Sequence, residues 1–169
     1  MFSSIFKGVL GIRGGKLEVS KITDYLYIGT RPYLDEHYDL LRELEIDLII
    51  NMIHSTPPYP DNGGRPIRTL WLETHDNWFK PIPMHLLKKG TEEALPVIEA
   101  GGKVFVHCWA GRHRSVAQGA CILIAADGCG AEEAAKLISN NREKARPKAW
   151  HIWRRIKKFE KEWAKKANA

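Results

Sequence analysis

Short apolar runs alternate along this chain with longer stretches whose hydrophobic residues recur every three or four positions. Tyr25 to Ile28 reads as a strand closed by Gly29, and Asp47 to Met52 as a buried strand. Between them Leu34 to Leu44 has helical spacing. A loop rich in Pro, Gly and Asn follows over Ser55 to Gly64, then a short strand over Arg68 to Leu72. Met84 to Ala100 is predicted helical and is stopped by Gly101 and Gly102. Lys103 to His107 is an apolar strand, and Ser115 to Ala126 an apolar helix ended by Asp127 and Gly128. Ala131 to Asn141 and Lys148 to Lys166 are two further helices. In the last, Trp150, Trp153, Ile156, Phe159 and Trp163 form a core-facing stripe amid a solvated basic face. Strands alternating with helices predict one α/β domain, with a four- or five-stranded, largely parallel sheet flanked by helices. Ligands in such sheets bind at the carboxyl ends of the strands.

Residues 1–16 read as an extension to a domain spanning 17–169. They carry no acidic residue, and Phe2, Ile5, Phe6, Val9 and Leu10 recur at helical spacing before Gly14 and Gly15 break it. Docking on the domain's own surface is the favoured reading of this segment. The other is peripheral membrane contact, apolar face down, with Lys7, Arg13 and Lys16 near anionic lipid.

At 169 residues the chain can bury one proper core. It has no apolar run near the roughly 20 residues of a membrane span, and no signal-peptide pattern is visible. Three cysteines, at 108, 121 and 129, make no disulfide framework, so a reducing cytoplasm is expected. Cys121 and Cys129 read as small hydrophobes. A net charge of +6 points to an anionic partner without separating phosphopeptide, phospholipid and nucleic acid. No nucleic-acid recognition module accompanies the basic residues, which disfavours the last. The sequence is silent on oligomeric state.

The segment His107-Cys108-Trp109-Ala110-Gly111-Arg112-His113-Arg114-Ser115 lies between an apolar strand and an apolar helix. A tight loop there aims successive backbone N–H groups into one concavity, a nest for an anion. The following helix adds its positive end. A cysteine in such a field favours its thiolate, the nucleophilic form. Arg114 can hold two phosphate oxygens, and Gly111 lets the backbone approach the ligand. The alternative is a buried structural cysteine beside chance basic residues. A phosphoryl transfer also needs a general acid on a nearby loop. Asp76, 32 residues before Cys108, is the candidate, with Glu73 as runner-up.

The segment resembles the signature of the protein tyrosine phosphatase superfamily, H-C-x-x-G-x-x-R-[ST], at every fixed position. The order of acid and cysteine, and the chain length, resemble its compact dual-specificity branch over residues from about 20 to about 163. The stretch Ile22 to Gly29 and the residues Arg142, Arg146 and Pro147 are weaker matches. The resemblance implies a dual-specificity phosphatase-like fold, and a phosphocysteine formed at Cys108. Arg114 and the loop from Trp109 to His113 would hold the phosphate. Asp76 would act as acid and then as base, Ser115 would bond the departing thiolate, and His107 would fix the Cys108 backbone. His107 reads equally well as a satisfied core histidine. No cofactor or metal is implied: His107, Cys108 and His113 fit no common zinc spacing.

Arg112 departs from the commonest dual-specificity pattern and resembles phosphatases of phosphatidylglycerophosphate and phosphoinositides. Those tend to carry lysine where this chain has Trp109. Trp109 lies against a substrate or simply packs on the surface; both readings are open. The expected substrate is thus a phosphorylated protein, with an anionic phospholipid as the alternative enzyme reading. A silent phosphate-binding module is the non-enzymatic alternative.

Overall fold

A computed structural model describes residues 15–169 in full and residues 9–12 by backbone; residues 1–8 and 13–14 lie outside the described residues. Both readings of residues 1–16, docking on the domain's own surface and peripheral membrane contact, therefore fall almost wholly outside them. The strands are β1 (Val9–Ile12), β2 (Gly15–Lys21), β3 (Leu26–Gly29), β4 (Ile46–Asn51), β5 (Arg68–Trp71) and β6 (Lys103–His107). The helices are α1 (Asp35–Glu43), α2 (Met84–Glu99), α3 (Arg114–Asp127), α4 (Ala131–Asn141) and α5 (Trp150–Ala167).

The sheet runs β1-β2-β3-β6-β4-β5. The pairings β3–β6, β6–β4 and β4–β5 are parallel, whereas β2 lies antiparallel to β3. These five strands match the expected sheet. β1 extends it, antiparallel along β2 in a hairpin. The helical spacing read over Val9 and Leu10 is thus overridden: both lie in a strand, and Gly15 pairs with Ile12 at the start of β2. Sheet pairing begins before Leu17, the expected start of the domain.

The central strands are apolar because helices cover both their faces. Side chains alternate across the sheet. Leu26, Ile28, Leu48, Ile50, Val104 and Val106 join the core shared with α2, α3, α4 and α5. Tyr27, Ile49 and Phe105 turn the other way, with Leu17, Tyr38 and Leu41, under α1. α3 is buried from Arg114 to Ile124, which is why the sequence there is mostly apolar. It stops at Gly128, whose φ of +68° suits a left-handed C-terminal residue. In α5, Ile152, Ile156 and Phe159 are buried and Trp153 and Trp163 pack partly against the core. Trp150 departs from the expected stripe: it is 57% exposed. No helix among the described residues is long and apolar enough to cross a membrane.

Parallel register sets the position of the site. Gly29, Asn51 and His107 lie level at the carboxyl ends of three neighbouring strands. The loop from Cys108 to His113 rises from the middle one and leads straight into α3.

Candidate active site

The carbonyls of four successive loop residues all accept hydrogen bonds from surrounding protein. Trp109 O accepts from the Arg31 amide at 3.4 Å and Arg112 O from the Arg146 amide at 2.9 Å. Ala110 O and Gly111 O accept from the Arg142 guanidinium at 3.0 and 2.7 Å. No amide from Trp109 to His113 donates to a protein acceptor among the described residues. Carbonyls committed to protein and amides left uncommitted make the loop an anion nest, next to the N-terminus of α3. Gly111 makes the turn at φ +62°. A Cβ there would lie 2.6 Å from the Gly29 carbonyl oxygen and from Arg142, so only glycine fits.

Arg142 holds this shape. It is buried, and besides the two carbonyls it donates to Ser20 Oγ at 3.0 Å and pairs with Glu18 at 3.4 Å. The weak sequence match at Arg142 thus marks the clamp that joins β2 to the loop.

Cys108 is buried at the start of the loop, and its Sγ lies 3.3 Å from Ser115 Oγ in the first turn of α3. Arg114 is also buried. One terminal nitrogen donates to Met52 O at 3.1 Å and to Thr74 O at 2.8 Å. Its Nε is buried and has no protein partner among the described residues. A buried guanidinium N–H without an acceptor is costly, and a bound oxyanion would satisfy it.

His107 is buried, and its Nδ1 donates to Cys108 O at 3.4 Å. Burial holds the imidazole down at about 3, although the Cys108 carbonyl favours the protonated form, so the ring is neutral. His107 is thus packed in the core with its ring bonded to the Cys108 backbone.

Asp76 lies on the loop after β5, whose path is fixed because Thr74 O bonds Arg114. Its carboxylate accepts from His113 Nδ1 and from His151 Nε2, each at 3.0 Å. Burial pushes the carboxyl up, but the two histidine bonds and the nearby Arg114 charge outweigh it and hold it at about 2. The structure therefore brings Asp76 to the loop, through His113. It leaves Glu73 half-exposed beside His54, 4.0 Å from Nδ1.

Trp109 is 53% exposed, with the Arg31 guanidinium 5.1 Å from its ring centre. Arg112 is exposed and lines a cavity of ≈ 390 Å³ with His113, Ser139, Arg146 and Lys148. Sequence reasoning missed His151, which sits in the first turn of α5 and had no motif to mark it.

A buried cysteine first, an arginine last and an amide-lined turn between them make a pocket suited to a phosphate group. The model of the dual specificity phosphatase catalytic domain matches residues 26–162, and the chain belongs to that family. It is 28% identical over 155 residues to dual specificity protein phosphatase 1B of Arabidopsis thaliana, covering 89% of this chain and 86% of that one. Human DUSP28 superposes with a TM-score of 0.76 at 19% identity, over 86% of this chain and 95% of that chain. PTPMT1 in complex with PI(5)P gives 0.74 at 25% identity, over 88% and 98%.

Proposed function

We propose that this phosphatase hydrolyses phosphotyrosine and other phosphomonoesters of proteins through a phosphocysteine at Cys108. The observation that carries the reading is the uncommitted donor set, the loop amides and Arg114 Nε, around a buried cysteine at a helix N-terminus. The substrate dianion enters that nest, and Cys108 Sγ attacks phosphorus in line with the leaving oxygen. Asp76 gives the leaving oxygen a proton. Its two histidine bonds favour the ionised form, so Asp76 takes up that proton from solvent as the approaching dianion raises its proton affinity. In the second step Asp76 takes a proton from water, the water oxygen attacks phosphorus, and the S–P bond breaks. Ser115 Oγ donates to the departing thiolate. His107 and Arg142 position the loop without touching substrate. Exposed Trp78, Phe79 and Trp109 offer aromatic surface to a peptide.

The test is phosphate release from a phosphotyrosine peptide, together with acid-quench trapping of radiolabelled phosphate. Wild-type protein should turn over and carry label, and Cys108→Ser should do neither. Label on Cys108→Ser, or turnover by it, would sink the covalent mechanism. A second reading has its own observation, the basic cavity lined by Arg112, Arg146 and Lys148 beside the loop. It suits a substrate with a second anionic group, such as a phosphoinositide or phosphatidylglycerophosphate. PTPMT1, crystallised with PI(5)P, is a structural neighbour. Arg112→Ala should then reduce lipid turnover more than peptide turnover, and an equal loss removes this reading.

A further inference from the structure

The pairing of Asp76 with two histidines exceeds what the reaction needs. One imidazole would orient the carboxylate, yet two converge on it from separate elements, His113 from the loop before α3 and His151 from α5. We infer that Asp76, His113 and His151 form a binding site for a divalent transition-metal ion of the zinc type, whose occupancy switches the phosphatase off.

Each of the three residues presents one donor atom, and these atoms all lie within 4.8 Å of one another. Zinc bonds imidazole nitrogen at about 2.0–2.1 Å and carboxylate oxygen at about 2.0–2.2 Å, so tetrahedral ligands sit roughly 3.3–3.5 Å apart. One Asp76 oxygen already lies 3.0 Å from His113 Nδ1, and the other 3.0 Å from His151 Nε2. Seating the ion needs movements of about an ångström, within reach of side-chain rotation. Two imidazoles and one carboxylate suit zinc or its neighbours, whereas calcium and magnesium want oxygen throughout.

The rings are also held. Trp78 stacks on His151 with centroids 6.2 Å apart and planes 10° off parallel. His113 meets His151 edge-on at 5.0 Å. The donors are partly open to solvent, which gives an ion access and leaves its fourth position to water. Spacing along the chain pointed to no metal because the ligands come from three elements that only the fold unites.

The inhibitory half of the inference rests on the acid role proposed for Asp76. A carboxylate bonded to a metal ion cannot carry the proton that the leaving group needs. The binding half stands without that role, so the experiment separates them. Zinc is titrated calorimetrically into Cys108→Ser protein at neutral pH, which removes the active-site thiol as a competing ligand. One ion per chain should bind. Adding His151→Gln or Asp76→Asn to that protein should weaken binding by at least about tenfold, the lower end of what loss of an outer-shell partner alone costs. Far-UV circular dichroism checks that each variant is folded.

In wild-type protein zinc should lower kcat on a phosphotyrosine peptide, with recovery on adding EDTA. The concentration needed should rise at least tenfold in His151→Gln. Absence of binding to Cys108→Ser overturns the site, as does equal affinity in the folded double variants. Binding with unchanged kcat overturns the switch. An Asp76→Asn enzyme with full activity would instead refute the acid assignment, whatever the calorimetry gives.

Discussion

Replacing His107 by glutamine should flatten the pH dependence of stability in a defined window. In the folded protein burial holds this imidazole down at about 3, against 6.5 for the free group. Between those values the unfolded chain binds a proton that the native state does not. Stability therefore falls as pH drops from about 6.5 towards 3, and above 6.5 the effect is absent. Each pH unit inside the window is worth about 1.36 kcal/mol for one proton. From pH 7.5 to pH 5.0 only the last 1.5 units or so count, giving about 2 kcal/mol. Urea unfolding of wild-type and His107→Gln protein at both pH values measures this directly. The wild type should lose about 2 kcal/mol more than the variant. The variant's lower absolute stability cancels, because each protein is compared with itself. Equal losses in the two proteins would mean that His107 is protonated inside the fold, and the account of a neutral ring on the Cys108 carbonyl would fail.

Asp76→Asn should lower kcat by about 10²–10⁴ on alkyl phosphates, and much less on p-nitrophenyl phosphate, whose leaving group needs little protonation; equal losses would refute the acid role in the first step. Arg142→Lys keeps the charge but not the fork that spans Gly111 O, Ala110 O and Ser20 Oγ. It should cost about 1.5–3 kcal/mol in urea unfolding and at least about tenfold in kcat/KM; wild-type activity would show that the loop holds its shape unaided. Gly111→Ala adds about 1–2 kcal/mol of backbone strain and a Cβ with no room, so kcat/KM should fall by about 10² with circular dichroism unchanged. Retained activity there would mean that the loop has a second working conformation.

Local periodicity made most of the framework legible. α4 runs from Ala131 to Asn141 as its spacing predicts, and β6 from Lys103 to His107. Both are bounded by strong punctuation, glycines or a change of pattern. The first hairpin was missed for an equally local reason. Gly14 and Gly15 read as a break, and the alternation in Lys16, Leu17, Glu18 and Val19, with Leu17 buried, was too short to outweigh the helical spacing before it. The cysteine loop was legible because its chemistry is contiguous. The clamp and the second histidine were not. Arg142 reaches Gly111 across 31 residues and Glu18 across 124, and His151 reaches Asp76 across 75. Such partners are chosen by packing: the sequence marked Arg142 only as a weak family match, without its contacts, and did not mark His151 at all.

Those long spans have a consequence for the order in which the protein is made. A chain leaving the ribosome folds from its N-terminus as residues emerge. By the time Ser115 appears, the cysteine, the acid and the arginine have all been synthesised. The clamp from Arg142 and the bond from His151 are still to come, and the core beneath α3 lacks α4 and α5. The nascent phosphatase site therefore stays unfinished until α5 has been made and packed.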